Sequence, residues 1–396
     1  RAHNTGFGRN GIRDALWLCN TGSLWCEGYY LTAKPAFTLQ SLGGILKQKI
    51  LFILHNLNQA NFIPLGVASI IGSLESQSYP VHLICPEKDD LDQEMASFQP
   101  DVVCYSMLTG SQGQYVDTNR YLKARYDFIS VFGGPHPTFF PEIIEEEGVD
   151  VVCVGEGEVA LLEFLDRIGT PDLLKTENFW IKQDGAIYRN PVRPLIDCLD
   201  DLPLPNYKIF YDNFSNLRNN PIKHFLLGRG CPYDCTYCFN HSLSQIYKDK
   251  GPRLRHKSPF YIIQEIKSVL NEYSLECIYF RDDIFNSSKV WLDQFIPLYK
   301  QEVGLPFICQ LRIEMVNENF ILQLINAGCV SISLGIETGN EKLRSEVLNR
   351  HMSNEKIKIA CAVLKKFNLP FCINNMVGLP GETVENVFET LSLTQS

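Results

Sequence analysis

With 396 residues, 45% of them hydrophobic and 20% charged, the chain has an ordinary globular composition and enough length for two or three domains. A formal charge of −9 and a pI near 5.5 exclude binding driven by phosphate attraction, so no nucleic-acid partner is expected. There is no run of about 18 uncharged apolar residues to span a membrane, and the amino end lacks the basic-then-apolar order of a signal peptide.

In chain order, residues 1–47 read as an irregular extension. They hold Trp17, Trp25, Cys19 and Cys26 with neither helical nor strand periodicity. The chain opens on Arg1 and closes on "TLSLTQS" in mid-helix, as expected of a piece of a longer protein. Residues 48–169 alternate strands such as "KILFILHNL", "PVHLICPE", "PDVVCYSML", "FISVFGGPH" and "VDVVCVGEGE" with helical stretches such as "IPLGVASIIGSLESQ". Short apolar runs separated by helical patterns predict βαβ units, hence a five-stranded, doubly wound α/β domain with its ligand outside the carboxyl ends of the strands. Residues 170–220 read as a linker containing a hairpin: "FWIKQDGAIYRN" turns on Asp184-Gly185, and a proline-rich extended stretch follows. Residues 221–396 begin a second α/β series with "KHFLLGRGC", "CIYFRDDIF", "FICQLRIE", "VSISLGIETG" and "PFCINNMVGLPGE". Its unusual residues collect at strand carboxyl ends, which predicts a partial (β/α) barrel, truncated at the carboxyl end of the sequence.

The 14 cysteines divide into two kinds. Most stand alone inside apolar runs, as do Cys85, Cys104, Cys153 and Cys329, where a thiol acts as a small hydrophobe. A reducing, cytoplasmic setting is therefore expected. Cys231, Cys235 and Cys238, in "LLGRGCPYDCTYCFN", are different. A structural zinc site wants four ligands, and no fourth Cys or His stands at a metal-binding spacing; His241 reads as a packing residue. Three thiolates suit a [4Fe–4S] cluster that leaves one iron open to an external ligand.

This C-x3-C-x2-C loop, with Tyr237 before its last cysteine and the first barrel strand ahead of it, resembles the radical SAM superfamily. The resemblance runs from Lys223 to the chain end. It implies that the open iron chelates S-adenosylmethionine and that one-electron reduction releases a 5′-deoxyadenosyl radical. It also implies an external donor of the flavodoxin or ferredoxin kind. By the same resemblance, Asp282 or Asp283 contacts the methionyl group, Arg312 takes its carboxylate, and Glu337 accepts from the ribose. Val377 and Gly378 would pass close to the adenine.

The first α/β domain resembles cobalamin-binding domains of the methionine synthase type, whose fingerprint is D-x-H-x-x-G, then S-x-L, then G-G. Here Ser106 to Leu108 form the S-x-L and Gly133-Gly134 the glycine pair. Aligning on Gly66 puts Asn61 at the aspartate position and Ile63 at the histidine position, so the resemblance implies a corrin whose lower face meets an apolar side chain. His55 and His136 are the nearby rivals for the metal. Cobalamin domain, linker and radical SAM barrel together resemble the cobalamin-dependent radical SAM enzymes. That layout implies methyl transfer to an unactivated carbon of a small-molecule or natural-product substrate. A radical cyclisation or rearrangement stays open, as does a non-catalytic cobalamin sensor; a methylthiotransferase would want a second cysteine triad, which is lacking.

Overall fold

The first strand, β1 (Ile50–Ile53), is apolar at every position and buried on both faces, as a central parallel strand must be. It is flanked by β2 (Val81–Ile84) and β3 (Val102–Ser106), and the sheet continues through β4 (Ile129–Gly133) and β5 (Val151–Cys153), all parallel. The order β2-β1-β3-β4-β5 reverses at β1, which creates a crevice at the strand carboxyl ends. The protein is represented by a computed structural model that describes residues 47–285 and 287–395; the reading of residues 1–46, with Cys19 and Cys26, falls outside them. All described residues belong to one compact unit.

The hairpin read as part of the linker belongs to this sheet. Strands β6 (Phe179–Gln183) and β7 (Ala186–Arg189) extend it to seven strands, with β6 antiparallel to β5 in the register Val151↔Ile181. Phe179 and Ile181 supply the reason, since both are fully buried in the same core as β5. The proline-rich stretch that follows is extended, but the chain then forms two short helices, Lys208–Asn213 and Ser215–Asn219. Tyr207, Phe210, Tyr211, Phe214 and Leu217 recur at helical spacing and are buried in a core shared by both sheets. Gly72 fixes the linker path: a side chain there would collide with the Leu204 carbonyl.

The second sheet is entirely parallel. Between β8 (Ile222–Phe225) and its remaining strands lies a small antiparallel pair, β9 (Gly228–Arg229) with β10 (Arg255–His256). Then come β11 (Cys277–Phe280), β12 (Phe307–Leu311), β13 (Cys329–Glu337) and β14 (Phe371–Asn375), in the spatial order β14-β13-β12-β11-β8. Neighbours in sequence are neighbours in space, the arrangement of an unclosed (β/α) barrel. Helices between the strands start on capping side chains: Ser258 accepts from the Tyr261 amide and Asn317 from the Phe320 amide.

An aromatic cluster holds this second sheet to its helices. The Phe280 ring lies 5.5–5.8 Å from the rings of Phe285, Phe295, Tyr299 and Phe307, mostly edge to face. Phe280→Ala is expected to lower the unfolding free energy by about 3–5 kcal/mol through cavity formation, whereas Phe260→Ala, on an exposed ring, should change it by about 0.5 kcal/mol or less. Urea denaturation of the two variants checks this, and equal losses would contradict it.

Candidate functional site

The chain reaches the three cysteines through a loop that only glycine permits. A side chain at Gly228 would collide with the Arg255 carbonyl, and one at Gly230, whose φ is +85°, with the Arg253 carbonyl. Cys235 is buried, Cys231 and Cys238 are half-buried, and all three thiols are free. Among the described residues, no three His, Cys, Asp or Glu side chains converge on a single-ion position. A cluster is larger than an ion, so its ligands need not converge. The donor set, three thiols and no fourth protein ligand, fits a cluster with an open iron. His241 turns its Nδ1 toward Asp234, 3.6 Å away.

Second-sheet residues meet the cysteine loop in two groups. In the first, Asn240 lies 3.6 Å from the Cys238 Sγ and donates to Asp283 at 2.9 Å. In the second, the Arg312 guanidinium lies 3.5 Å from the Cys235 Sγ and 3.7 Å from the centre of the Tyr233 ring. Its fork grips Glu314, so Arg312 is not held open for an outside carboxylate. Glu337 accepts from the Tyr237 hydroxyl and from Arg350, each at 2.9 Å, with its backbone at φ +71°. A non-glycine residue in that region is strained, and the buried ion pair with Arg350 helps to hold it there. Val377 is highly exposed, and the Gly378 amide donates to Glu382 at 2.6 Å, apart from both groups.

The two adjacent aspartates have different tasks. The Asp282 carboxylate accepts from the Leu227 amide at 3.0 Å and the Gly228 amide at 2.9 Å, clamping the end of β8. Burial pushes its pKa up to about 7 against these amide bonds, which favour the charged form. Asp282 thus holds the backbone where it meets the cavity wall. Asp283 is exposed and opens onto the cavity; desolvation by the protein around it raises its pKa while the Asn240 bond opposes.

That cavity, about 950 Å3, lies at the carboxyl ends of both sheets. From the first sheet it is lined by Gly66, Ser106, Leu108 and Gly134, and from the second by Cys231, Asp282 and Asp283. Of the glycine pair, the second is the one the fold requires. Gly134 has φ +94°, and a Cβ there would lie 2.8 Å from the Ser106 Oγ, while Gly133 pairs with Ser106 in the sheet and has ordinary space. Ile63 departs from expectation: it is buried in the core, and its neighbours Phe62, Pro64 and Leu65 line the cavity in its place. Of the two rival histidines, His55 has both ring nitrogens engaged and His136 has one. The His55 ring nitrogens lie 2.7 Å from Glu87 and 3.0 Å from Thr118, and the His136 Nδ1 lies 3.1 Å from Thr109.

Sequence reading missed a buried charge cluster in the cavity wall. Glu156 lies 3.1 Å from Arg229 and 2.7 Å from Arg255, and Arg229 also reaches Glu158. Burial pushes the Glu156 carboxyl up, but the two guanidiniums outweigh it and hold the pKa below the usual value. The Tyr247 hydroxyl accepts from the Glu156 amide at 2.8 Å, over Gly155, where any side chain would strike the phenol. Beside it, Lys257 pairs with Glu265 at 2.6 Å, and Glu265 also accepts from the Tyr207 hydroxyl. "VGEGE" and "GRG" carry the only sequence signal, and both read as turns.

Comparison with known proteins accounts for both halves. Residues 59–165 match the B12 binding domain family and residues 225–394 the Radical SAM superfamily. An uncharacterized methyltransferase of Pyrococcus horikoshii is 27% identical over 342 residues, covering 84% of this chain and 73% of the relative. The anaerobic magnesium-protoporphyrin IX monomethyl ester cyclase of Rubrivivax gelatinosus is 23% identical over 374 residues, covering 88% of this chain and 65% of the relative. The chain thus spans about two thirds to three quarters of the length of these relatives. Among solved structures, the radical S-adenosylmethionine methyltransferase TsrM of Kitasatospora setae superposes with a TM-score of 0.72 at 17% identity, covering 88% of this chain and 71% of TsrM. With both families matched in order along one chain, this protein belongs to the radical SAM enzymes that carry a cobalamin-binding domain.

Proposed function

We propose that this chain forms the core of a cobalamin-dependent radical SAM methyltransferase acting on an unactivated carbon of a small molecule or natural product. One observation carries the reading: a single cavity is lined by Ser106 and Gly134 from one sheet and by Cys231 and Asp283 from the other. Cofactors held at the two walls would face each other across one shared cavity. Bound there, a [4Fe–4S] cluster with S-adenosylmethionine would supply a 5′-deoxyadenosyl radical, and methylcobalamin a methyl group.

The chain's own residues then have separable roles. Cys231, Cys235 and Cys238 hold the cluster, and Asn240 orients Asp283 toward the methionyl ammonium. Tyr237 and Glu337, already joined through a hydrogen bond, present hydroxyl and carboxylate to the nucleoside side. Val377 and Gly378 stand as the adenine contact. In the first sheet, Gly134 lets the backbone approach a bulky nucleotide tail beside Ser106. Phe62, Pro64 and Leu65 would present an apolar surface to the corrin. An external flavodoxin- or ferredoxin-like donor in a reducing, cytoplasmic setting completes the scheme; the described cysteines are all free thiols. Among the described residues no helix is long and apolar enough to cross a membrane.

Methyl transfer is preferred because the relative of higher identity among the two compared bears a methyltransferase name. The cyclase relative supports a radical cyclisation as the second reading. A non-catalytic cobalamin sensor would have no use for Asp283 on the cavity wall beside a loop that carries three free thiols.

Replacing Cys231, Cys235 and Cys238 together by Ala should abolish 5′-deoxyadenosine formation by the anaerobically reconstituted protein. Persistent cleavage of S-adenosylmethionine, or stoichiometric zinc in place of iron and sulfide, would overturn the assignment.

The aspartates should separate cleanly. Asp283→Asn is expected to weaken S-adenosylmethionine binding about ten- to a hundredfold, the loss of one charge-assisted hydrogen bond, with cluster content unchanged. Asp282→Ala leaves the Leu227 and Gly228 amides unpaired and should cost about 1–3 kcal/mol of stability. Titration with S-adenosylmethionine and thermal unfolding read the two effects; the reverse pattern would exchange the roles.

A further inference from the structure

Five basic side chains line the cavity: Arg229, Arg253, Arg255, Lys257 and Arg281. Four of them are neutralised in place. Glu156 holds Arg229 at 3.1 Å and Arg255 at 2.7 Å, Glu265 holds Lys257 at 2.6 Å, and Asp234 holds Arg253 at 2.9 Å. Arg281 differs. Among the described residues its guanidinium has no carboxylate or other acceptor partner; its neighbours are two aromatic faces, Phe62 at 5.1 Å and Tyr279 at 4.8 Å.

These rings form a frame. Phe62 stacks on His224 at 5.2 Å with 16° between planes, and His224 lies 5.4 Å from Tyr279. The Arg281 amide donates to the Phe225 carbonyl at 2.9 Å, fixing the root of the side chain at the carboxyl end of β11. Asp283, two positions on, is engaged by Asn240 and forms no ion pair with Arg281. His224 adds no competing cation, because burial, with the charges of Arg281 and Lys223, lowers its pKa to about 4. Aromatic faces can hold a guanidinium in place, but they take none of its in-plane N–H donors.

We propose that Arg281 is an oxyanion-binding subsite of the cavity, taking a carboxylate or phosphate group through its paired N–H donors. Guanidinium geometry matches such groups in a two-pronged arrangement, and a half-buried cation left unpaired between apolar walls is costly until an anion arrives. Two sources of the anion are distinguished by the test, an acidic group on the substrate and the phosphodiester in the nucleotide tail of cobalamin. The subsite rests on the cavity being the ligand site named above, yet its test requires no turnover.

The test compares wild type with R281M and R281Q as anaerobically reconstituted protein. Two dissociation constants are measured: hydroxocobalamin by absorbance titration, and inorganic phosphate on the cobalamin-loaded protein by phosphorus NMR line width. Either variant that retains the fold by circular dichroism serves, and R281K should restore part of the effect. Loss of phosphate affinity by about ten- to a hundredfold, with cobalamin affinity unchanged, supports the subsite and assigns it to substrate. An equal loss of cobalamin affinity, with no phosphate bound to loaded wild type, supports it and assigns it to the tail. Unchanged constants for both ligands in the folded variants would overturn it. Failure of methyl transfer alone would leave these constants as they are, so the two readings fail separately.

Discussion

Glu156 is the group on which the site's geometry depends. Arg229 and Arg255 stand directly opposite each other in the β9–β10 pair, an arrangement that repels when left alone. Glu156, reaching over from the turn after β5, lies within ion-pair distance of both, and Glu158 takes the remaining reach of Arg229. Buried ion pairs add little net stability, since desolvation offsets the attraction, but removing one partner costs about 3–5 kcal/mol. The cluster therefore acts through position. It fixes the loop that delivers Cys231 against the end of the first sheet, and so sets the width of the cavity between the two cofactor walls.

The surrounding backbone conforms to that constraint. Gly228 and Gly230 let the β9–β10 pair close, Gly155 admits the Tyr247 phenol against the Glu156 turn, and Gly72 lets the linker lie flat on its helix. The linker then runs into the shared core through Tyr207, Phe210 and Phe214. The two sheets are thus held by apolar contact behind the cavity and by paired charges in its wall. A ligand in the cavity meets walls whose charges are mostly paired, with Arg281 and the two aspartates, Asp282 and Asp283, outside any ion pair. Arg281 and Asp283 can discriminate between ligands because neither is held by an opposite charge.

Much of this was legible in the sequence. The alternation of apolar runs and helical patterns gives both parallel sheets, because a buried central strand has little choice of composition. The thiol triad and the glycine pair were legible because their chemistry is unusual for their spacing. What the sequence hid was tertiary in origin. "RDD" does not say which aspartate turns to the backbone; that depends on the Leu227 and Gly228 amides, 55 and 54 residues away. "NFIPLG" does not say that Ile63 points into the core while Phe62 faces the cavity. The charges of "GEGE" and "GRG" read as polar turn residues until the fold brings them together. The hairpin on Asp184-Gly185 was legible as a hairpin but not as a sheet edge, since its own alternation does not show which strand it will join.

The central claim is that two cofactor walls share one cavity, and electron paramagnetic resonance of protein holding both cobalamin and the cluster tests it most directly. With cobalt in the cob(II) state, the signal is recorded before and after one-electron reduction of the cluster to its paramagnetic form. Cofactors facing each other across this cavity should couple magnetically, so the cob(II) lines should broaden or split and relax faster when the cluster is reduced. A cob(II) signal unchanged in shape and relaxation, in protein shown to hold both groups, would contradict the account.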